Sequence, residues 1–327
     1  MKRLIIGLSL LICITASAQD ARSLVKEGIQ LSSTKDYTGA IEKFRSALAV
    51  EPDNASANYQ MGFTLNASGK GADALPYLQK ATVTNSAVAG AAYALMGSVY
   101  DRANQSQKAV ESFLSAIKIT PNDYSLHYGI GLAYFRARRY ADAEQSALNA
   151  LKLEPKHPGS IRLYALVTFH QNKRAPALLA LCQFLWLEPN GTKSAEAYGN
   201  MQSILSGGEL KAEPGIKPVN ATNRYLNNVI ITSAQLATKA KYATAADKLS
   251  AQLQYILENI GPIAEKQTGN DSLFTALTRY YYKLSQTGRL PAYARFISQG
   301  ADKSAATWVS AHPQEIEGLK EWIKNNI

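Results

Sequence analysis

A small residue returns along this chain every 34 or 35 positions and brings the same companions each time. Counting from Gly28, Ala40 follows twelve places on, Phe44 sixteen, Ala47 nineteen and Pro52 twenty-four. The same offsets from Gly62 give Ala74, Leu78, Ala81 and Ser86; from Gly97, Ala109, Phe113, Ala116 and Pro121; from Gly131, Ala143, Ala147, Ala150 and Pro155. A fifth, weaker copy runs from Ala165 through Ala177, Leu181 and Phe184 to Pro189. A period of this length marks a stack of repeated units, each of which buries an apolar face on the next.

The residue types fit that geometry. Gly or Ala in a first helix is expected to face Ala in the second, which lets the axes approach toward the short end of the 8–10 Å range. Phe44, Leu78 and Phe113 then fill the space beside the small residues. Thr34-Lys35-Asp36 and Ala67-Ser68-Gly69-Lys70 read as turns within a pair. Pro52, Pro121, Pro155 and Pro189 end second helices because proline lacks the amide donor.

The pattern resembles the tetratricopeptide repeat across residues 20–191. Departures exist: the aromatic expected near the start of the first helix survives only as Tyr93, and the fifth copy has Ala165 for Gly and Phe184 for Ala. The resemblance implies an all-α fold, a right-handed α-α superhelix whose concave wall is made by first helices. Repeats are expected at 21–54, 55–88, 90–123, 124–157 and 158–191, with a capping helix at 193–205 closing a solenoid over 19–206.

The flanks read differently. Met1-Lys2-Arg3, an apolar run of eleven residues from Leu4 to Ile14, and Ala16-Ser17-Ala18 compose a signal peptide over 1–18, cleaved before Gln19. That run is too short for a membrane span, which takes roughly 20 residues. The junction resembles bacterial export signals, particularly those of Bacteroidota, and places the mature protein in the periplasm or outside the cell. Leu11-Ile12 before Cys13 is unlike a lipoprotein site, and Cys182 reads as a buried small hydrophobe. Glycine and proline make 207–220 a linker. Residues 221–327 return to helical spacing, with helices expected near 271–286, 289–299 and 313–326. At 226–259 a hairpin is either a sixth, eroded repeat or a pair outside the pattern, since Ser233 and Gln252 stand where small residues belong.

Catalysis has thin support. His127, His157, His170 and His312 have no metal-ligand spacing, and there is no His-Glu-x-x-His, phosphate-binding glycine loop or Gly-x-Ser-x-Gly. The expectation is no enzyme, no metal and no cofactor, although an unrecognised C-terminal catalytic domain is a third reading. Thirty-five Lys and Arg stand against 25 Asp and Glu. Their excess divides evenly between 19–206 and 221–327, which argues against a nucleic-acid track.

What remains is a groove. Carried over from the resemblance, its wall holds Arg22, Tyr59, Phe63, Arg102, Tyr128, Phe135, Arg136, Arg162, Phe169 and His170. The places that hold a carboxylate clamp in related co-chaperones read Val25, Ile29, Gln60, Ala91 and Leu95, so that clamp is missing. The leading reading is an exported interaction scaffold, taking another envelope or secreted protein by an acidic segment with apolar anchors. The alternative is glycan binding, with groove aromatics stacking on sugar rings. No transmembrane segment is expected in the mature chain.

Overall fold

The computed structural model describes residues 21–83, 86–207, 219–266 and 272–326. The expected signal peptide and nearly all of the expected linker fall outside these residues. Every regular element among them is a helix, as the sequence led one to expect. The chain divides into two compact units, one ending at Arg139 and one starting at Tyr140.

The first unit holds α1 (residues 21–33), α2 (Tyr37–Val50), α3 (Ala55–Ala67), α4 (Gly71–Ala81), α5 (Ala87–Arg102), α6 (Ser106–Ile119) and α7 (Tyr124–Arg136). Asp36, Asn54, Ser86 and Asp123 each cap a helix by accepting a backbone amide from its first turn. The small residues named from the period are fully buried: Ala40, Ala47, Ala74, Ala81, Ala109 and Ala116. Around them Phe44, Met61, Leu78 and Leu65 form one core cluster, and Phe113, Leu126 and Ile130 a second.

The close approach at the small residues involves the bulky residue as well as the alanine. A Cβ on Gly97 would lie 2.8–2.9 Å from the Phe113 ring and one on Gly28 2.6–2.9 Å from Phe44, while one on Gly62 would meet Leu78 at 2.6 Å and the Ala74 carbonyl at 3.3 Å. The glycine makes room for the bulky side chain that lies across its helix. Phe113 also presses on Gly129 of the following helix, at 2.7–2.8 Å from a built Cβ. One ring thus fixes two first helices.

The second unit holds α8 (Tyr140–Leu153), α9 (Pro158–His170), α10 (Arg174–Leu187), α11 (Ser194–Leu205), α12 (Ala221–Lys239), α13 (Ala245–Lys266), α14 (Leu273–Ser285), α15 (Leu290–Ser298), α16 (Lys303–Ala311) and α17 (Pro313–Asn326). The sequence reading had no helix at α16. Its organising element is α10, whose residues from Arg174 through Leu185 are all buried. Helices α9, α11, α12, α14 and α15 all pack on it.

Hydroxyl groups pin the late helices to that centre. Tyr293 donates to the Cys182 carbonyl at 2.9 Å, Tyr281 donates to Gln183 Oε1 at 2.9 Å, and the two hydroxyls lie 2.9 Å apart. Trp186 stacks on Tyr293 with ring centroids 5.9 Å apart and lies 4.6 Å from the Phe296 ring. Burial pushes the Cys182 thiol up to about 12, so it stays protonated and packs as an apolar group. In the 226–259 hairpin, Gln252 is buried and donates to the Leu205 carbonyl at 3.2 Å. It reaches toward α11 instead of leaving room for its partner helix.

Candidate functional site

In the first unit α3 packs on α5 and α5 on α7, so first helices of successive repeats stand side by side as one wall. Phe63 is 44% exposed on it and Ile29, at the matching place of α1, is 41% exposed. Both follow directly after a small residue, Gly62 and Gly28. Tyr59 lies one turn before Phe63 with ring centroids 6.3 Å apart. Half-burial raises its phenol pKa above the ordinary value, so it remains a neutral donor. Arg22 is exposed on α1, while Tyr128 and Phe135 are half-buried on α7.

The arginines turn out to be engaged. Arg102 donates to Asn66 Oδ1, and Arg136 forms an ion pair with Asp101. In both cases the acceptor stands four places after the small glycine of one repeat and the arginine five places after that of the next. A lateral contact between Ser32 and Thr64 hydroxyls, 3.1 Å, ties α1 to α3. These bonds join neighbouring first helices, which the sequence reading missed. The sequence reading named Arg102 and Arg136 as groove residues, and in the structure each holds a side chain of the neighbouring first helix. Arg136 nevertheless keeps 44% of its side chain exposed, against 10% for Asp101. The other oxygen of Asp101, Oδ1, is buried and meets no hydrogen-bond partner.

In the second unit Arg162 pairs with Glu196 at 3.3 Å, and Lys193 reaches the same carboxylate at 3.0 Å. The His170 ring stacks on Tyr140, centroids 5.0 Å apart and planes within 6°, and meets Phe169 edge-on at 5.9 Å. The ten predicted residues thus fall seven in one unit and three in the other. His157 is a helix cap: its Nδ1 accepts the Ser160 amide at 3.2 Å and lies 2.7 Å from the Ser160 hydroxyl. No helix among the described residues is long and apolar enough to cross a membrane.

A family model described as the tetratricopeptide repeat matches residues 94–161 and 128–183. This part of the chain is built of tetratricopeptide repeats, the class of helical-hairpin protein that the register and the wall define. Among solved structures, YrrB, described as "a TPR protein with an unusual peptide-binding site", is similar at 18% identity and a TM-score of 0.50, covering 58% of this chain and 97% of its own. That likeness shows a shared fold. MamA is also similar, at 22% identity and a TM-score of 0.48 over 54% of this chain and 95% of its own. MamA from Desulfovibrio magneticus RS-1 matches at 17% identity and 0.47, over 53% and 97%. No curated protein is similar to the chain at a significant level.

Proposed function

We propose that this protein is an exported interaction scaffold that holds a segment of another envelope or secreted protein against the wall of its first helices. The observation that carries the reading is the exposed pair Ile29 and Phe63, with Tyr59 beside Phe63, on a wall whose helices are tied by lateral polar contacts. Such a wall offers exposed apolar side chains on helices tied by lateral bonds, and rigid aromatic anchors contribute most of the affinity in peptide recognition. YrrB's described peptide-binding site supports the same use of the fold. Charge plays a smaller part than the sequence suggested. Arg102 and Arg136 already hold partners, so they supply a second hydrogen bond to an acidic ligand rather than a full new ion pair. The glycan reading draws on open aromatic faces. Of the predicted rings Phe63 is the exposed one, and His170 is stacked on Tyr140.

Two measurements test this. N-terminal sequencing of the protein from its host should begin at Gln19; an intact Met1 contradicts export. A protein partner purified from envelope fractions with the wild-type chain should be recovered about tenfold less with Phe63→Ala. Recovery with Arg45→Glu, on α2, should be unchanged. Retention on immobilised glycan with no protein partner would overturn the reading.

A further inference from the structure

An open cleft of about 800 Å³ lies in the second unit, and none of the groove residues named above lines it. Its volume falls within the range of small-ligand sites, about 300–1,000 Å³. Leu148 and Leu151 of α8, Pro176 of α10, Leu226 of α12 and Leu273 and Phe274 of α14 give it apolar sides. Its charged side chains are two lysines, Lys152 and Lys173, and one carboxylate. Glu144 is the one carboxylate in the lining, and it is already satisfied by Lys173 at 2.5 Å and Gln171 at 2.8 Å. Lys152, exposed at the cleft, has no ion pair among the described residues.

Two helices also begin at this cleft. Asn220 caps α12 through the Asn223 amide at 2.8 Å, and Ser272 caps α14 through the Thr275 amide at 3.2 Å. Each cap satisfies one amide of a first turn and leaves others directed outward with the positive end of the helix dipole. Thr222, Leu273 and Phe274, from those first turns, line the cleft. Tyr164 adds an independent sign. It is only 4% exposed, it lines the cleft, and its hydroxyl makes no hydrogen bond among the described residues. That hydroxyl is open to the cleft, where a ligand acceptor would bond it in place of water.

We propose that the cleft binds a small amphiphilic anion, an apolar body carrying one carboxylate. The apolar body lies against Leu148, Leu151 and Phe274. The carboxylate accepts from Tyr164 and the first-turn amides, with Lys152 supplying the charge. This site is separate from the groove and stands whether or not the scaffold reading does.

Calorimetric titration of the full mature chain tests it with three probes of equal chain length: decanoate, decanol and decyltrimethylammonium. Decanoate should bind about tenfold more tightly than either of the others, the size of one charged hydrogen bond. Lys152→Glu, at an exposed position, should weaken decanoate about tenfold without lowering the melting temperature. Tyr164→Phe should weaken it several-fold, and Leu148→Trp, which fills the cleft, should abolish binding. Phe63→Ala should leave the titration unchanged. Absence of decanoate binding, equal binding of decanol, or an affinity indifferent to Lys152→Glu would overturn the proposal.

Discussion

Five residues with positive φ, Lys35, Gly69, Asn104, Arg138 and Asn172, recur at intervals of 34 or 35 residues. Each closes a first helix. In every copy the next residue donates its amide to the carbonyl five places back: Asp36 to Leu31, Lys70 to Leu65, Gln105 to Tyr100, Arg139 to Tyr134 and Lys173 to Thr168, at 2.8–2.9 Å. This is the hydrogen bond of a left-handed helix end. The side chains at these places differ, so the most regular backbone feature of the chain was hidden in its sequence. Left-handed backbone costs an ordinary side chain about 1–2 kcal/mol, and Asn much less. Lys35→Gly should therefore raise stability by about 0.5–1 kcal/mol after the entropy of the unfolded glycine is set against it, while Asn104→Gly should be near neutral; thermal melting reads both. His157 makes a second prediction. Its Nδ1 must be unprotonated to accept the Ser160 amide, and burial holds its pKa below the ordinary 6.5 although the Glu154 charge pulls upward. The unfolded chain then binds the proton more readily. The cap's contribution is complete above pH 6.5 and is lost as the pH falls below it toward the folded value. Melting at pH 5 should show a larger loss in wild type than in His157→Asn, which caps at either pH; equal losses would remove His157 from the account.

Helix pairing rests on single atoms. Phe113 is held between Gly97 and Gly129 with no room for a Cβ on either side, and the ring is buried and has nowhere to retreat. Gly97→Leu should cost at least about 3 kcal/mol. Ser98→Leu, one place further on at a half-exposed site, should cost well under 1 kcal/mol. Gly199 is the counter-case: it lies within α11 with nothing within 4 Å of a built Cβ. Gly199→Ala should thus stabilise by about 0.5–1 kcal/mol, the helix-propensity difference. Equal losses at Gly97 and Ser98 would mean that the repeat register is displaced. At this scale the sequence was legible, because small residues, bulky residues and prolines kept the same offsets in most copies. The lateral bonds Asn66 to Arg102 and Asp101 to Arg136 were less so. The acceptor changes identity from one repeat to the next, and nothing in a single repeat shows that its neighbour answers it.

The second unit departs furthest from a chain of identical hairpins. The fifth pair ends in α10, and the late helices pack round it rather than following as a further independent stretch. A signal for this was present. Arg-Ala-Pro-Ala-Leu-Leu-Ala-Leu-Cys-Gln-Phe-Leu-Trp-Leu has no polar face, and a helix apolar all round is one buried all round. The helix α16 escaped notice because Lys303–Ala311 is short and buries only Ala305. Across the chain, then, the repeat unit and its core were readable from local offsets. The covering of α10 depends on contacts between residues about a hundred positions apart, such as Gln183 with Tyr281. The central claim is that the first-helix wall is the surface that meets a partner. A photo-crosslinking amino acid placed at Phe63, and separately at Arg45, tests it in the living host. Crosslinks to one discrete protein from position 63 and none from position 45 are the predicted result; crosslinks from position 45 alone, or the same products from both, would contradict it.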